Sequence, residues 1–296
     1  MKRRTKLFLI ICASIFFLGI SFTVTGLALG ASVNDLPSRF SWMYRGQHTR
    51  TSENVVAIEG QHITGTRNLS IDIDALSIII EATDGTDIIV DTSTLSQRIA
   101  DEVIVEETGD RLEIYLNRSH NNRVRNLLGN NRNQGDLIIG IPRGHQFDQL
   151  KLDLGAGSVN AEELSALSMD LRVGAGRLEV RGLQADSLSS DVGAGEANLS
   201  NIIVHDASVE GGVGSIRLQG DVTNHIALHN GIGEITFVAS GSETDYNYNI
   251  STGIGEIVIG SRSYRGLGND RSVNNNASRS IEVQNGIGRV DIQFER

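Results

Sequence analysis

The chain has 296 residues, enough for one large domain or two small ones, with 5% aromatics and only two prolines, Pro37 and Pro142. Its net charge of −10 argues against a nucleic-acid partner. A single cysteine, Cys12, excludes a disulfide framework.

Residues 1–6, Met1-Lys2-Arg3-Arg4-Thr5-Lys6, form a basic tail. Residues 7–29 hold no charge and are mainly apolar. At about 1.5 Å per helical residue they would span the roughly 30 Å hydrocarbon core. This predicts an uncleaved transmembrane signal anchor with its basic end in the cytoplasm and the rest of the chain outside. A cleavable signal peptide has a shorter apolar core, and the small residues at 28–31 are the alternative cleavage site. Cys12 lies inside the apolar segment and reads as a packing residue. Ile11 before it does not suit a lipoprotein site.

Everything acidic lies after this segment. With four basic side chains spent in the tail, the remainder carries 22 basic against 36 acidic, a net charge near −14. Anionic lipid or wall polymer would repel such a surface unless cations bridged the two. Residues 30–54 are polar, contain Pro37 and Trp42, and read as a stalk.

Residues 55–150 carry strand-like runs at 69–73, 76–81, 88–91, 103–106, 112–116 and 137–141. Alternation is clearest in Leu69, Ile71 and Ile73 against Ser70, Asp72 and Asp74. Asp84-Gly85 marks a turn. The segment predicts an irregular β-rich cap, such as solenoids need at an exposed end. Residues 119–134, rich in Asn and Arg, read as a loop.

From 151 to 296 the pair Gly-x-Gly recurs with a shared flanking pattern, starting at Gly155, Gly174, Gly193, Gly212, Gly231, Gly253 and Gly286, while one more pair, Gly266-Leu267-Gly268, lies in a polar stretch and lacks that pattern. The intervals between starts are 19, 19, 19, 19, 22 and 33. A fixed period marks a repeat architecture. The residue between the glycines is Ala156, Ala175, Ala194, Val213, Ile232, Ile254 or Ile287. Two places past each second glycine stand Val159, Leu178, Ala197, Ile216, Ile235, Ile257 and Val290. Two further on stand Ala161, Val180, Leu199, Leu218, Phe237, Ile259 and Ile292. Three before the first glycine stand Leu152, Leu171, Ser190, Val209, Leu228, Ile250 and Val283.

These apolar positions change parity at the pair, which implies a glycine corner between two strands. The prediction is an all-β fold, a parallel β-solenoid of about 19 residues per coil over 151–296. Nineteen extended residues give a perimeter of roughly 60 Å, with coils stacked about 4.8 Å apart. The residue between the glycines is expected in an internal ladder, in a core that widens toward the C-terminus. A β-sandwich or roll built from hairpins would share the period. Residues 262–280, inside the longest interval, read as a loop bulging from one coil and as a candidate binding surface. The pair is followed by strand rather than helix, so it is no phosphate cradle.

The order of runs 76–81, 110–114 and 137–142, then Phe147-Asp148, then the Gly-Ala-Gly coils, resembles a bacterial family named "putative adhesin", a domain of unknown function. The resemblance covers residues 55–296. It implies a β-solenoid preceded by a single N-terminal membrane segment or a leading cytoplasmic region, in some members encoded beside cell-envelope stress systems. No catalytic residue attaches to the family.

Three groups could carry chemistry. Asp153, Arg172, Asp191 and Glu210 share one repeat position and predict a surface charge ladder. Glu234 and Glu256 each follow a second glycine, and on neighbouring coils two carboxylates would repel, raising one pKa. Such a pair could hold a cation or act as acid and base. His205, His225 and His229 lie close in sequence but share no repeat position, against the convergence that zinc requires.

The expectation is therefore a non-enzymatic, membrane-anchored extracellular protein with no catalytic, metal or cofactor residues. It would bind or sense a cell-envelope component or a membrane protein, with a link to envelope stress. The alternatives are a solenoid enzyme on envelope polysaccharide and an accessory partner of a membrane sensor.

Overall fold

The computed structural model describes residues 61–63, 65–117 and 135–295. The expected tail (1–6), anchor (7–29) and stalk (30–54) lie outside the described residues, as does the whole of the 119–134 loop. Among the described residues no helix is long and apolar enough to cross a membrane.

The described chain is almost all strand: β1 Gln61–Ile63, β2 Asn68–Thr83, β3 Ile88–Asp91, β4 Val103–Thr108, β5 Arg111–Leu116, β6 Asp136–Pro142, β7 Phe147–Ser240, β8 Tyr246–Ile259, β9 Arg262–Val273 and β10 Arg279–Glu295. One helical turn, α1 Gln97–Ala100, and a 3-10 turn at Glu243–Asp245 interrupt it. β7 runs unbroken for 94 residues and winds through five of the glycine corners. The strand-like runs read between 69 and 141 coincide with β2 to β6.

Every apolar residue expected two and four places after a second glycine is buried, as is every residue three places before a first glycine. Buried residues fall into three short runs per coil, for example Met169, Leu171 and Val173, then Leu178 and Val180, then Leu183 and Ala185. Each run is one strand face with alternate side chains inside.

The glycine corner is a packing requirement. A Cβ on Gly174 would lie 2.4 Å from the Gly155 carbonyl oxygen, and one on Gly176 only 1.8 Å from the Gly157 oxygen. Gly176 also has φ +135°, a region that L-residues rarely adopt. A second corner recurs in the same period at Glu163 (φ 53°), Gly182 (φ 78°) and Asn201 (φ 54°). The period's composition gives no hint of it, because only one of these three residues is glycine.

β2 is a coil without glycines. It stacks in parallel on β7, with Ile71 beside Leu152, Ala75 beside Ala156 and Ile78 beside Val159. β5 and β6 continue the stack beside the two halves of β2. Antiparallel β4, β3 and β1 close this end. The 55–150 segment thus holds parallel rungs as well as a cap. They escape the Gly-x-Gly count because Asp74 and Leu76 stand where the two glycines occur later.

At the other end the spatial order departs from the chain order. β10 lies between the last coil of β7 and β8: Ile287 neighbours Ile232 on one side and Ile254 on the other. β9 then pairs antiparallel with β8 along its whole length. Residues 262–273 are therefore a strand and not the expected loop. Its polar sequence fits an edge strand, where charges deter further pairing. Tyr246, Tyr248 and Phe237 fill the core here, with Phe294 packed against them.

The residue between the glycines is not in the core. Val213, Ile232, Ile254 and Ile287 are 55%, 49%, 44% and 46% exposed. The parity change spans the whole pair: Leu154 is buried, Ala156 is turned out, and Val159 is buried again. The expected internal ladder is an external one.

Candidate functional site

The Gly-x-Gly corners stack into one edge of the solenoid. Along it the order of first glycines is Gly155, Gly174, Gly193, Gly212, Gly231, Gly286 and Gly253, each over the next. Three side-chain ladders follow from this register, separated by glycine backbone.

The central ladder is aliphatic. It begins with Ala156, Ala175 and Ala194 and continues as Val213, Ile232, Ile287 and Ile254. Water-exposed β-branched side chains in a row are unusual for a surface that meets only solvent.

Beside the second glycines runs a ladder of charges: Arg177, Glu196, Ser215, Glu234, Arg289 and Glu256, then Arg265 on β9. Arg177 Nη2 lies 2.9 Å from Glu196 Oε2. Arg289 stands between the two glutamates singled out from the sequence, 3.9 Å from Glu234 and 3.0 Å from Glu256. The Ser263 hydroxyl donates to Glu256 at 2.6 Å and Arg265 Nε donates at 2.8 Å. These hydrogen bonds, Ser263 first, hold the Glu256 carboxyl below the usual range, and the arginine charges add to them. Glu234 and Glu256 are thus not neighbours, and the expected upward shift is replaced by a downward one. The cause is the insertion of β10, which puts a guanidinium where a shared proton or cation was conceivable.

On the other flank stand Asp153, Arg172, Asp191, Glu210, His229, Gln284 and Ser251. Arg172 bonds Asp191 at 3.2 Å and Asp170 at 2.8 Å. This is the charge ladder read from the sequence. Burial raises the Asp170 carboxyl, with Arg172 opposing. Just inside, the core position before the first glycine changes from Leu154, Val173 and Val192 to Gly211, Asn230, Asn285 and Thr252. The last three are at most 5% exposed. Turned so that its nitrogen meets Gly211 O at 3.2 Å and its oxygen meets Gly233 N at 3.3 Å, the Asn230 amide ties the corner. An open depression of about 440 Å³ lies above it, rimmed by Glu210, His229, Ser251 and Gln284.

The three histidines do not converge. The His205 ring bonds Thr223 Oγ1 at 3.0 Å, and the His225 ring bonds Ser280 Oγ at 2.7 Å. His229 Nδ1 lies 3.8 Å from Glu210. Among the described residues no three His, Cys, Asp or Glu side chains come together as a metal site would require.

Two features escaped sequence reasoning. One is the outward aliphatic ladder, whose only signal is that glycine flanks it on both sides. The other is Arg289, whose place follows from strand order and not from spacing.

No curated protein matches this chain. Among solved structures it is similar to a putative adhesin from Bacteroides fragilis NCTC 9343, at 12% identity and TM-score 0.42 over 79% of this chain and 95% of that one. It is similar to a putative cell adhesion protein from Clostridium sporogenes ATCC 15579, at 15% identity and TM-score 0.33 over 80% and 98%. A putative adhesin from Parabacteroides merdae ATCC 43184 is similar at 12% identity and TM-score 0.31 over 80% and 95%. The Toastrack DUF4097 family model matches residues 66–293, which is most of the chain and nearly all of its described part. The chain belongs to the Toastrack DUF4097 family.

Proposed function

We propose that this protein is a non-enzymatic, membrane-anchored binding module, with residues 7–29 as its anchor and the solenoid displayed outside the cell toward an envelope component. The proposal includes a link to envelope stress, which rests on the family resemblance alone. The observation that carries it is the Glu234–Arg289–Glu256 ladder. The carboxylates best placed for acid–base work are tied to guanidinium groups, and Glu256 is held in its charged form. An acid catalyst needs the reverse, a carboxyl raised toward neutral pH. What the coils offer instead is a rigid array of repeated side chains, suited to recognising an extended or repetitive partner.

The test is sedimentation of the purified protein with isolated cell walls and with membranes, with and without calcium. Saturable binding to one fraction is expected. If calcium is required, it bridges the chain's net negative charge to an anionic polymer. Absence of binding to both fractions overturns the reading.

A further inference from the structure

Among the residues whose burial is described, the external aliphatic ladder has four large rungs in the spatial order Val213, Ile232, Ile287, Ile254, and the backbone register continues it to Leu267 on β9. Their exposures, 44–55%, are those of side chains left without a neighbour above them. Glycines on both sides leave a bare backbone furrow along each flank, so nothing on the described chain shields the ridge. At about 4.8 Å per rung the ridge is roughly 14 Å long.

A second observation concerns the parallel charge ladder one step away. Over the same stretch it reads Glu196, Ser215, Glu234, Arg289, Glu256, Arg265. Consider a second copy laid face to face by a two-fold axis along the strand direction. That operation keeps each ladder opposite itself and reverses the order of coils. If the axis passes midway between the Ile232 and Ile287 rungs, Val213 meets Ile254 of the other copy and Ile232 meets Ile287. The same axis sets Glu234 against Arg289, Glu196 against Arg265 and Ser215 against Glu256. No like charges meet along this ladder. Moving the axis by half a rung either way puts Glu234 against itself or Arg289 against itself, which is repulsive. On the opposite flank His229 then faces Gln284 and Glu210 faces Ser251. Asp191 faces Asp270 only at the periphery, where Arg172 and Ser251 already bond them.

The axis that makes the charge ladder self-complementary thus also lays the four exposed aliphatic rungs on one another, with the register position of Leu267 on β9 opposite that of Ala194. We propose that a second copy of this chain docks here, coils antiparallel, by an isologous contact of the two ridges. The contact is narrow, well below the standard interface size, and so it is a reversible association. It goes beyond the envelope-binding reading and does not depend on it.

The test uses full-length chains carrying Cys12→Ser, with two distinguishable tags, co-expressed and oxidised in the lysate. One chain carries Val213→Cys and the other Ile254→Cys. Both sites are exposed, so the core is untouched. A crosslink between the two tags is expected, at least tenfold above that from two Val213→Cys chains. Adding Glu234→Arg to both chains should abolish it, and adding Arg289→Glu as well should restore it, with circular dichroism confirming the fold of each variant. Absence of the mixed crosslink overturns the proposal. Equal crosslinking in both pairings, or a crosslink indifferent to Glu234→Arg, overturns it too. Wall and membrane sedimentation of the Glu234→Arg chain, run alongside, reports on the envelope reading separately.

Discussion

Arg289 stands between Glu234 and Glu256, 3.9 Å from one and 3.0 Å from the other, although it follows Glu256 by more than a full coil of sequence. The arrangement exists because the last strand of the chain enters the stack one place early. Its energetic weight is modest, since the arginine side chain is 42% exposed. Arg289→Gln should destabilise the fold by about 0.5–1 kcal/mol. Urea unfolding measures this, and a loss above about 2 kcal/mol would mean that the ladder carries far more than an exposed pair should.

The pH dependence has a definite sign. Hydrogen bonds from Ser263 and Arg265 depress the folded-state pKa of Glu256. Its stabilisation is therefore complete above the unfolded carboxylate value, about 4.3, and is lost as pH falls through the lower folded value. Asp245, held down by its bond from the Ser242 backbone, behaves likewise. Asp170 has the opposite sign, because burial raises it and its charge is a cost at neutral pH. Glu256→Gln should thus be less stable than the native chain at pH 7 and equal to it in strong acid. Urea midpoints across a pH series check this. A gap that widens toward acid contradicts it.

Two neighbouring glycines, Gly176 and Gly182, should differ sharply. At Gly176 a Cβ would sit 1.8 Å from a backbone oxygen of the next coil. At Gly182 the nearest atom is 3.6 Å away, so only the positive φ of 78° opposes a side chain. Gly182→Ala should cost about 1–2 kcal/mol. Gly176→Ala should cost upwards of about 4 kcal/mol, because two stacked backbones must part. Thermal unfolding of the two variants side by side tests the contrast, and equal losses would contradict the corner geometry.

Removal of residues 279–296 should damage more than the end of the fold. β10 supplies four buried apolar side chains, Ile281, Val283, Val290 and Ile292, each contributing about 1.5–3 kcal/mol. It is also the partner that joins β8 to β7. Without it the β8–β9 hairpin should detach, and limited proteolysis should cut within 246–273. If that segment stays protected, the coils stack in chain order and the register described above is wrong.

How far the sequence disclosed this molecule depended on what each residue had to satisfy. The Gly155-to-Gly231 spacing was legible because each glycine answers the same steric demand from the coil beneath. The buried ladders at Leu178 and Val180 were legible because a strand face has period two. The direction of Ile232 was not, since an apolar residue in phase with Leu228 looks internal until the corner is built. The rung at Ala75 was hidden because Asp74 and Leu76 meet the first stacked coil without glycine. The place of β10 was illegible for a different reason. Its corner at Gly286 carries the same glycine pattern as every other corner, so spacing alone does not say that it lies between β7 and β8. The candidate site suffered most, because the pairing of Glu234 with Glu256 assumed that coils stack in chain order.

The central claim is that the solenoid binds and does not catalyse. The most direct measurement compares the native protein with a Glu234→Ala/Glu256→Ala variant on isolated cell walls, following both sedimentation and release of soluble glycan. The account predicts saturable sedimentation with no glycan release from either protein. Glycan release by the native protein that the variant lacks, with its fold intact, would contradict it.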